Sequence, residues 1–215
     1  MADSTTNVID LIKSQHQQVK ALLAQVARGT GAAGGMGATG TGTTGTGIAG
    51  GTGTAGAGMA GAATGSLDGD FCELRRMIVV HETAEEEVIY PALRASGAEG
   101  QRVAEARTTE EQKGAEVLSR LENMELGGTE FTALFEQFRM EVLAHAEAEE
   151  ETVLPLLAST QSQDNLRKMS GAFELAETAA PTHAHPHTGT SAVSNMVTGP
   201  AVAIMDRVRD ALRKS

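Results

Sequence analysis

Tryptophan is absent from this chain of 215 residues, tyrosine and cysteine occur once each, and aromatic residues make up only 3%. A core without large rings must be filled by Leu, Val, Ile, Met and Ala, which suits packed helices better than a β-sandwich. The lone Cys72 excludes an internal disulfide, reads as a small core residue, and fits a reducing compartment. Lysine and arginine number 17 against 28 acidic residues, a net charge of −11, so the chain lacks the basic surface that phosphate backbones demand. Nucleic acid is excluded as a partner. No apolar run approaches the roughly 20 residues needed to cross a bilayer, and the first residues lack a charged-then-apolar leader. No membrane role is expected, and the expected location is cytoplasmic.

What the chain has in excess is glycine, 25 residues, concentrated between residues 29 and 66 with Ala, Thr and Ser. That stretch predicts a long disordered loop, since it offers nothing to bury. It has no Gly-Lys-Ser/Thr ending and no preceding strand, which argues against a phosphate-binding loop. On either side the apolar residues recur at helical spacing. A first helix is expected from a Ser4, Thr5 or Thr6 cap to about Arg28, with Val8, Ile12, Val19, Leu23 and Val26 as its inward stripe. A second is expected to start near Asp68 or Asp70 and to end or kink at Pro91, and a third to span roughly 98 to 125. The fourth follows a Thr129 cap and runs toward Pro155. The expected fold is all-α, an antiparallel four-helix bundle over residues 1–160. Residues 161–215 form an extension with short helices, near 163–177 and Val202 to Arg213, around a His/Pro-rich segment.

Within these helices a short phrase occurs twice. His81-Glu82-Thr83-Ala84-Glu85 closes on Pro91-Ala92-Leu93, and His145-Ala146-Glu147-Ala148-Glu149 closes on Pro155-Leu156-Leu157. In each copy a histidine and a glutamate four apart leave the same face of a helix, the geometry of a paired metal ligand. His16 also sits within its apolar stripe, so three imidazoles and two carboxylates are expected to converge inside the bundle. Imidazole nitrogen and carboxylate oxygen suit iron, manganese or zinc, and two carboxylates can bridge two ions. Ion pairing inside the bundle is the competing explanation. Glu86, Glu87, Glu150 and Glu151 read as solvated charges, and Tyr90 as a packing residue at a helix end or a hydrogen-bonding neighbour of the site.

Gln15-His16-Gln17-Gln18-Val19-Lys20, His81 to Leu93 and His145 to Leu157 resemble the hemerythrin-like, or HHE cation-binding, domain. The resemblance covers about residues 5 to 160. The tail from Ala180 through His183, His185 and His187 to Asp210 resembles that of actinobacterial members. It implies two non-heme iron ions, carboxylate-bridged and held by His16, His81, Glu85, His145 and Glu149, with Mn or Zn less favoured. The implied ligand is a small diatomic or peroxide. One family position departs: no histidine lies between His81 and His145, where the third helix of a typical member offers one. Glu111 or Gln112 takes its place, depending on alignment. Glu111 is preferred because a carboxylate binds iron well and a neutral amide poorly; an exposed Glu111 without a ligand role is the alternative. An added carboxylate favours the ferric state, which points to peroxide or NO chemistry, with catalase-like or peroxidase-like turnover in a stress response, over reversible O2 carriage. The other readings are a carrier or sensor without turnover, and a structural bundle holding zinc. Monomer and homodimer are both compatible with the sequence, and it names no electron donor.

Overall fold

A computed structural model describes residues 7–31 and 66–180. Most of the expected loop, the tail histidines and the expected terminal helix lie outside the described residues. Among the described residues the chain is helical and without strands: α1 (Val8–Gly29), α2 (Leu67–Ala84), α3 (Tyr90–Ala95), α4 (Ala98–Glu122), α5 (Thr129–Ala148), α6 (Leu154–Thr160) and α7 (Gln163–Ala179). The fold is the expected all-α bundle, with α1, α2, α4 and α5 as its long members.

The caps differ from those expected. Asn7, not an earlier Ser or Thr, caps α1 by accepting from the backbone of Ile9 and Asp10, while Asp10 returns a bond to the Asn7 backbone. Ser66 caps α2, and Gly128 rather than Thr129 precedes α5. Between α3 and α4 the chain turns at Gly97, whose φ of +121° favours glycine. Gly100 follows, where a Cβ would lie 2.0 Å from the Leu93 carbonyl oxygen.

Neither proline ends its helix. Pro91 and Pro155 fall at the start of α3 and α6, and just before each the helix widens into a single π turn, Glu85–Ile89 and Glu149–Val153. A proline inside a helix has no N–H to give and crowds the carbonyl one turn back, so the ladder must loosen ahead of it. The Tyr90 and Leu154 amides therefore reach five residues back, to the carbonyls of Glu85 and Glu149. Each π turn starts on a glutamate of the doubled phrase.

Two apolar layers fill the bundle. One gathers Val8, Ile12, Val88, Leu93, Val153 and Phe173; the other Val19, Leu23, Ile78, Leu118, Phe135 and Phe138. Every long helix crosses from one layer to the other through a polar residue or two. On α1, His16 lies between Ile12 and Val19; on α4, Glu111 lies between Ala104 and Leu118. His81 with Glu85, and His145 with Glu149, interrupt the other two helices in the same way. The polar layer across the middle of the bundle is thus written helix by helix. α7 packs on α1 and α2, and its Phe173 is fully buried.

Candidate metal centre

Glu85 and Glu149 are fully buried, His16, Glu111 and His81 are nearly so, and His145 retains 14% of its side-chain surface. Their donor atoms form two groups in which every atom lies within 4.8 Å of the others: His16, His81, Glu85 and Glu149, and Glu85, Glu111, His145 and Glu149. The groups overlap in the two glutamates that open the π turns. All five residues of the doubled phrase and its helical partner come together, and Glu111 joins them. Gln112, half-buried, belongs to neither group.

The three imidazoles are oriented alike. His16 Nδ1 lies 3.0 Å from Glu150 Oε1, His81 Nδ1 lies 2.7 Å from Gln15 Oε1, and His145 Nδ1 lies 3.1 Å from Glu110 Oε2. The Gln15 amide nitrogen donates to Glu177 Oε1 on α7 at 2.8 Å, which leaves its oxygen facing His81. Each Nδ1 therefore meets an acceptor and carries the proton, so each Nε2 presents a lone pair to the cluster. Outer partners that fix the ring and its tautomer are what metal-ligating histidines require.

Seven buried atoms of the cluster make no hydrogen bond: Nε2 of His16, His81 and His145, both oxygens of Glu85, and Oε2 of Glu111 and Glu149. Left so, each would cost about 1–3 kcal/mol. His16 Nε2 and Glu149 Oε2 are 3.3 Å apart, and His81 Nε2 and Glu85 Oε2 3.4 Å, within ion-pair reach yet without hydrogen-bond geometry. Burial, reinforced by the neighbouring His16, pushes His81 down to about 3, so it stays neutral and cannot serve as the cation of a salt bridge. The His81–Glu85 contact is therefore not an ion pair. A cation among these atoms would satisfy them together, and the donor set fits iron, manganese or zinc.

The carboxylates carry the strain of being buried together. Burial, then repulsion from neighbouring glutamates, raises Glu85 and Glu111 well above the ordinary carboxyl range. For Glu149 burial pushes up as well, but the contact with His16, helped by the other imidazoles around it, outweighs it and holds the group low. The Tyr90 hydroxyl, fully buried, shares its proton between Glu111 Oε1 and, at 2.9 Å, Glu149 Oε1. Of the two readings of Tyr90, hydrogen bonding at the site and packing in the core, it does both.

Two expectations fail here and two partners went unnoticed. Glu150 is not a free surface charge, since it accepts from both His16 and Lys20 Nζ, the latter at 3.1 Å. Cys72 is exposed, not a core residue. Glu110 and Glu177, unread in the sequence, support His145 and Gln15; Glu110, one residue before Glu111, had only its spacing to mark it.

Residues 7–157 match the model of a family described as "Hemerythrin HHE cation binding domain". An uncharacterized hemerythrin-like protein of Schizosaccharomyces pombe is 28% identical over 135 residues, 62% of this chain and 66% of the yeast protein. The chain thus spans just under two thirds of that relative's length. No solved structure matches it. α7, with Phe173 and Glu177, lies beyond the matched residues. No helix among the described residues is long and apolar enough to cross a membrane.

Proposed function

The chain belongs to the hemerythrin HHE cation-binding domain family and is a metal-binding module; from that premise we propose that it holds two non-heme iron ions sharing Glu85 and Glu149, and reacts with dioxygen, hydrogen peroxide or nitric oxide. The observation that carries this reading is the overlap of the two donor groups in those two glutamates. A single-ion site has no use for a second complete group one carboxylate away. Three carboxylates against two divalent cations leave about one unit of positive charge, a balance a dry site can hold.

Bound iron would supply a redox-active centre able to give electrons to such oxidants. The chain's own part is positional. Glu150, Gln15 and Glu110 hold the protons on the outer nitrogens of His16, His81 and His145 and aim the inner ones. Tyr90 holds Glu111 and Glu149 and keeps a proton beside them. The apolar layers on both sides keep water from the half that holds His16 and His81. Glu111, where the family resemblance offers a histidine, adds negative charge that favours the oxidised state and consumption of oxidant over reversible carriage. On this reading the protein works in the cytoplasm against oxidative or nitrosative stress.

Elemental analysis with an optical spectrum of the purified chain tests the reading. Two irons per chain, with near-ultraviolet and visible absorption that chelation removes, are expected. Zinc in their place would overturn it. Oxygen evolution from added hydrogen peroxide, lost in His81→Ala or Glu149→Ala, separates turnover from carriage.

A further inference from the structure

Gly114 sits in the interior of α4, where glycine is the least favourable residue short of proline. Its backbone is helical, no neighbour presses on it, and a Cβ built there meets nothing within 4 Å. Neither backbone conformation nor close packing accounts for it. The space it leaves is part of a cavity of about 360 Å³ between α2, α4 and α5. Phe138, Val142, Ala144 and Ala148 give this cavity an apolar wall, while Glu82, Glu111 and His145 also line it. The Oε2 of Glu111, on a side chain 3% exposed, and the Nε2 of His145 lack hydrogen-bond partners.

The volume is far beyond the need of a diatomic or a peroxide, since a water occupies about 30 Å³ and a cavity of about 150 Å³ holds a benzene ring. Charge offers a second constraint. Arg107 and Lys113 balance Glu110 and Glu141 in the lining, and Arg107, only 14% exposed, holds its Nε and Nη1 buried without hydrogen-bond partners. Carboxyl groups at the cavity wall call for a donor on the ligand, the Arg107 nitrogens for an acceptor, and Phe138 for an apolar body, and a hydroxyl is both donor and acceptor.

We infer that this cavity, kept open by Gly114, is a binding site for a small neutral organic molecule with an apolar body and a hydroxyl end, such as a phenol or an alcohol. Its hydroxyl meets Glu82 or Glu111, and its body lies along Phe138 and Val142. Binding itself needs no metal; the placement of the hydroxyl beside a metal position rests on the function proposed above.

Calorimetric titration of the full purified chain with phenol, with benzene as the hydroxyl-free comparison, tests the site, and amide shifts at Phe138 and Val142 locate it. One phenol per chain is expected, bound at least about tenfold more tightly than benzene. Gly114→Leu and Ala144→Leu, filling the cavity from opposite walls, should each weaken phenol by about tenfold or more. Gly171→Leu, at an exposed helical glycine on α7 that also has open space around it, gains the same helix propensity and should leave binding unchanged. Phenol that finds no site, that binds all variants alike, or that binds no better than benzene overturns the inference. Metal content measured on the same samples keeps the two readings apart: phenol binding without iron defeats the proposed function alone, and two irons without phenol binding defeat the cavity alone.

Discussion

His16 and His81 keep 3% and 8% of their side-chain surface, whereas His145 keeps 14% and lines an open cavity together with Glu111. The two halves of the site share Glu85 and Glu149 and are built on the same repeated phrase with the same π turn. What separates them is outside the repeat. α7 covers the first half, setting the Phe173 ring 6.0 Å from that of His81 and sending Glu177 to Gln15. Among the described residues nothing equivalent covers the second half, where Gly114 leaves space instead. The duplication sets the shared carboxylates, and the elements that are not duplicated decide which half is dry and which is reachable.

The sharpest way to break this comparison is to remove what the halves share. Glu149→Ala takes a ligand from both groups, and loss of nearly all bound metal is expected by elemental analysis. Retention of one full equivalent would show that the halves do not depend on a common bridge. Next in size are His16→Ala and His145→Ala, each removing a ligand from one group only. Loss of about one equivalent of two is expected from each. If His145→Ala empties the whole site, the halves are a single cooperative unit and the distinction drawn above fails.

Much of this was legible in the sequence because helical period and chemistry coincided. A histidine on an apolar stripe is conspicuous, so His16, His81 and His145 could be named, and glycine could mark where the first and third long helices stop. Glu111 could be placed only to within one residue of Gln112, because Thr108 and Thr109 break the apolar pattern on α4. Glu150 was misread because a partner 134 positions away leaves no local trace. Cys72 was misread for the opposite reason: thiols are commonly buried, and here local helix phase turned it outward. The π turns were hidden since a proline six residues after a glutamate predicts a disturbed ladder but not whether the helix stops or widens.

A third test concerns pH and the metal-free chain. Glu85 and Glu111 are raised above the ordinary 4.5, so the folded state holds protons that the unfolded chain has released. Their contribution to stability is complete below that value and is lost as pH rises through the folded values. His81 acts the other way. Held near 3 when folded, against an ordinary 6.5, it adds stability as pH rises between those limits and nothing further above them. From 4.5 upward through the folded range of the carboxyls, the metal-free chain should lose their contribution to its melting temperature. The metal-loaded chain should not, because metal binding requires the carboxylates ionised. Parallel melting curves for the two forms from pH 4.5 upward would refute this account of the buried carboxyls.

The smallest effects expected are those of the outer partners, and they probe the difference in enclosure most directly. Gln15→Leu removes the acceptor of His81 Nδ1 and strands Glu177, in a place that water reaches poorly because Gln15 is 8% exposed. Metal affinity of the first half should fall by about 10–100-fold. Glu110→Ala removes the corresponding partner of His145, but Glu110 is 42% exposed and water can take its place at Nδ1. Its effect on the second half should be about threefold or less, because a bridging water nearly matches a direct bond. Competition titrations against a chelator, resolving tight from weak sites, would read both. Equal losses in the two variants would mean that solvent does not substitute for protein at His145, and that the second half is as closed as the first.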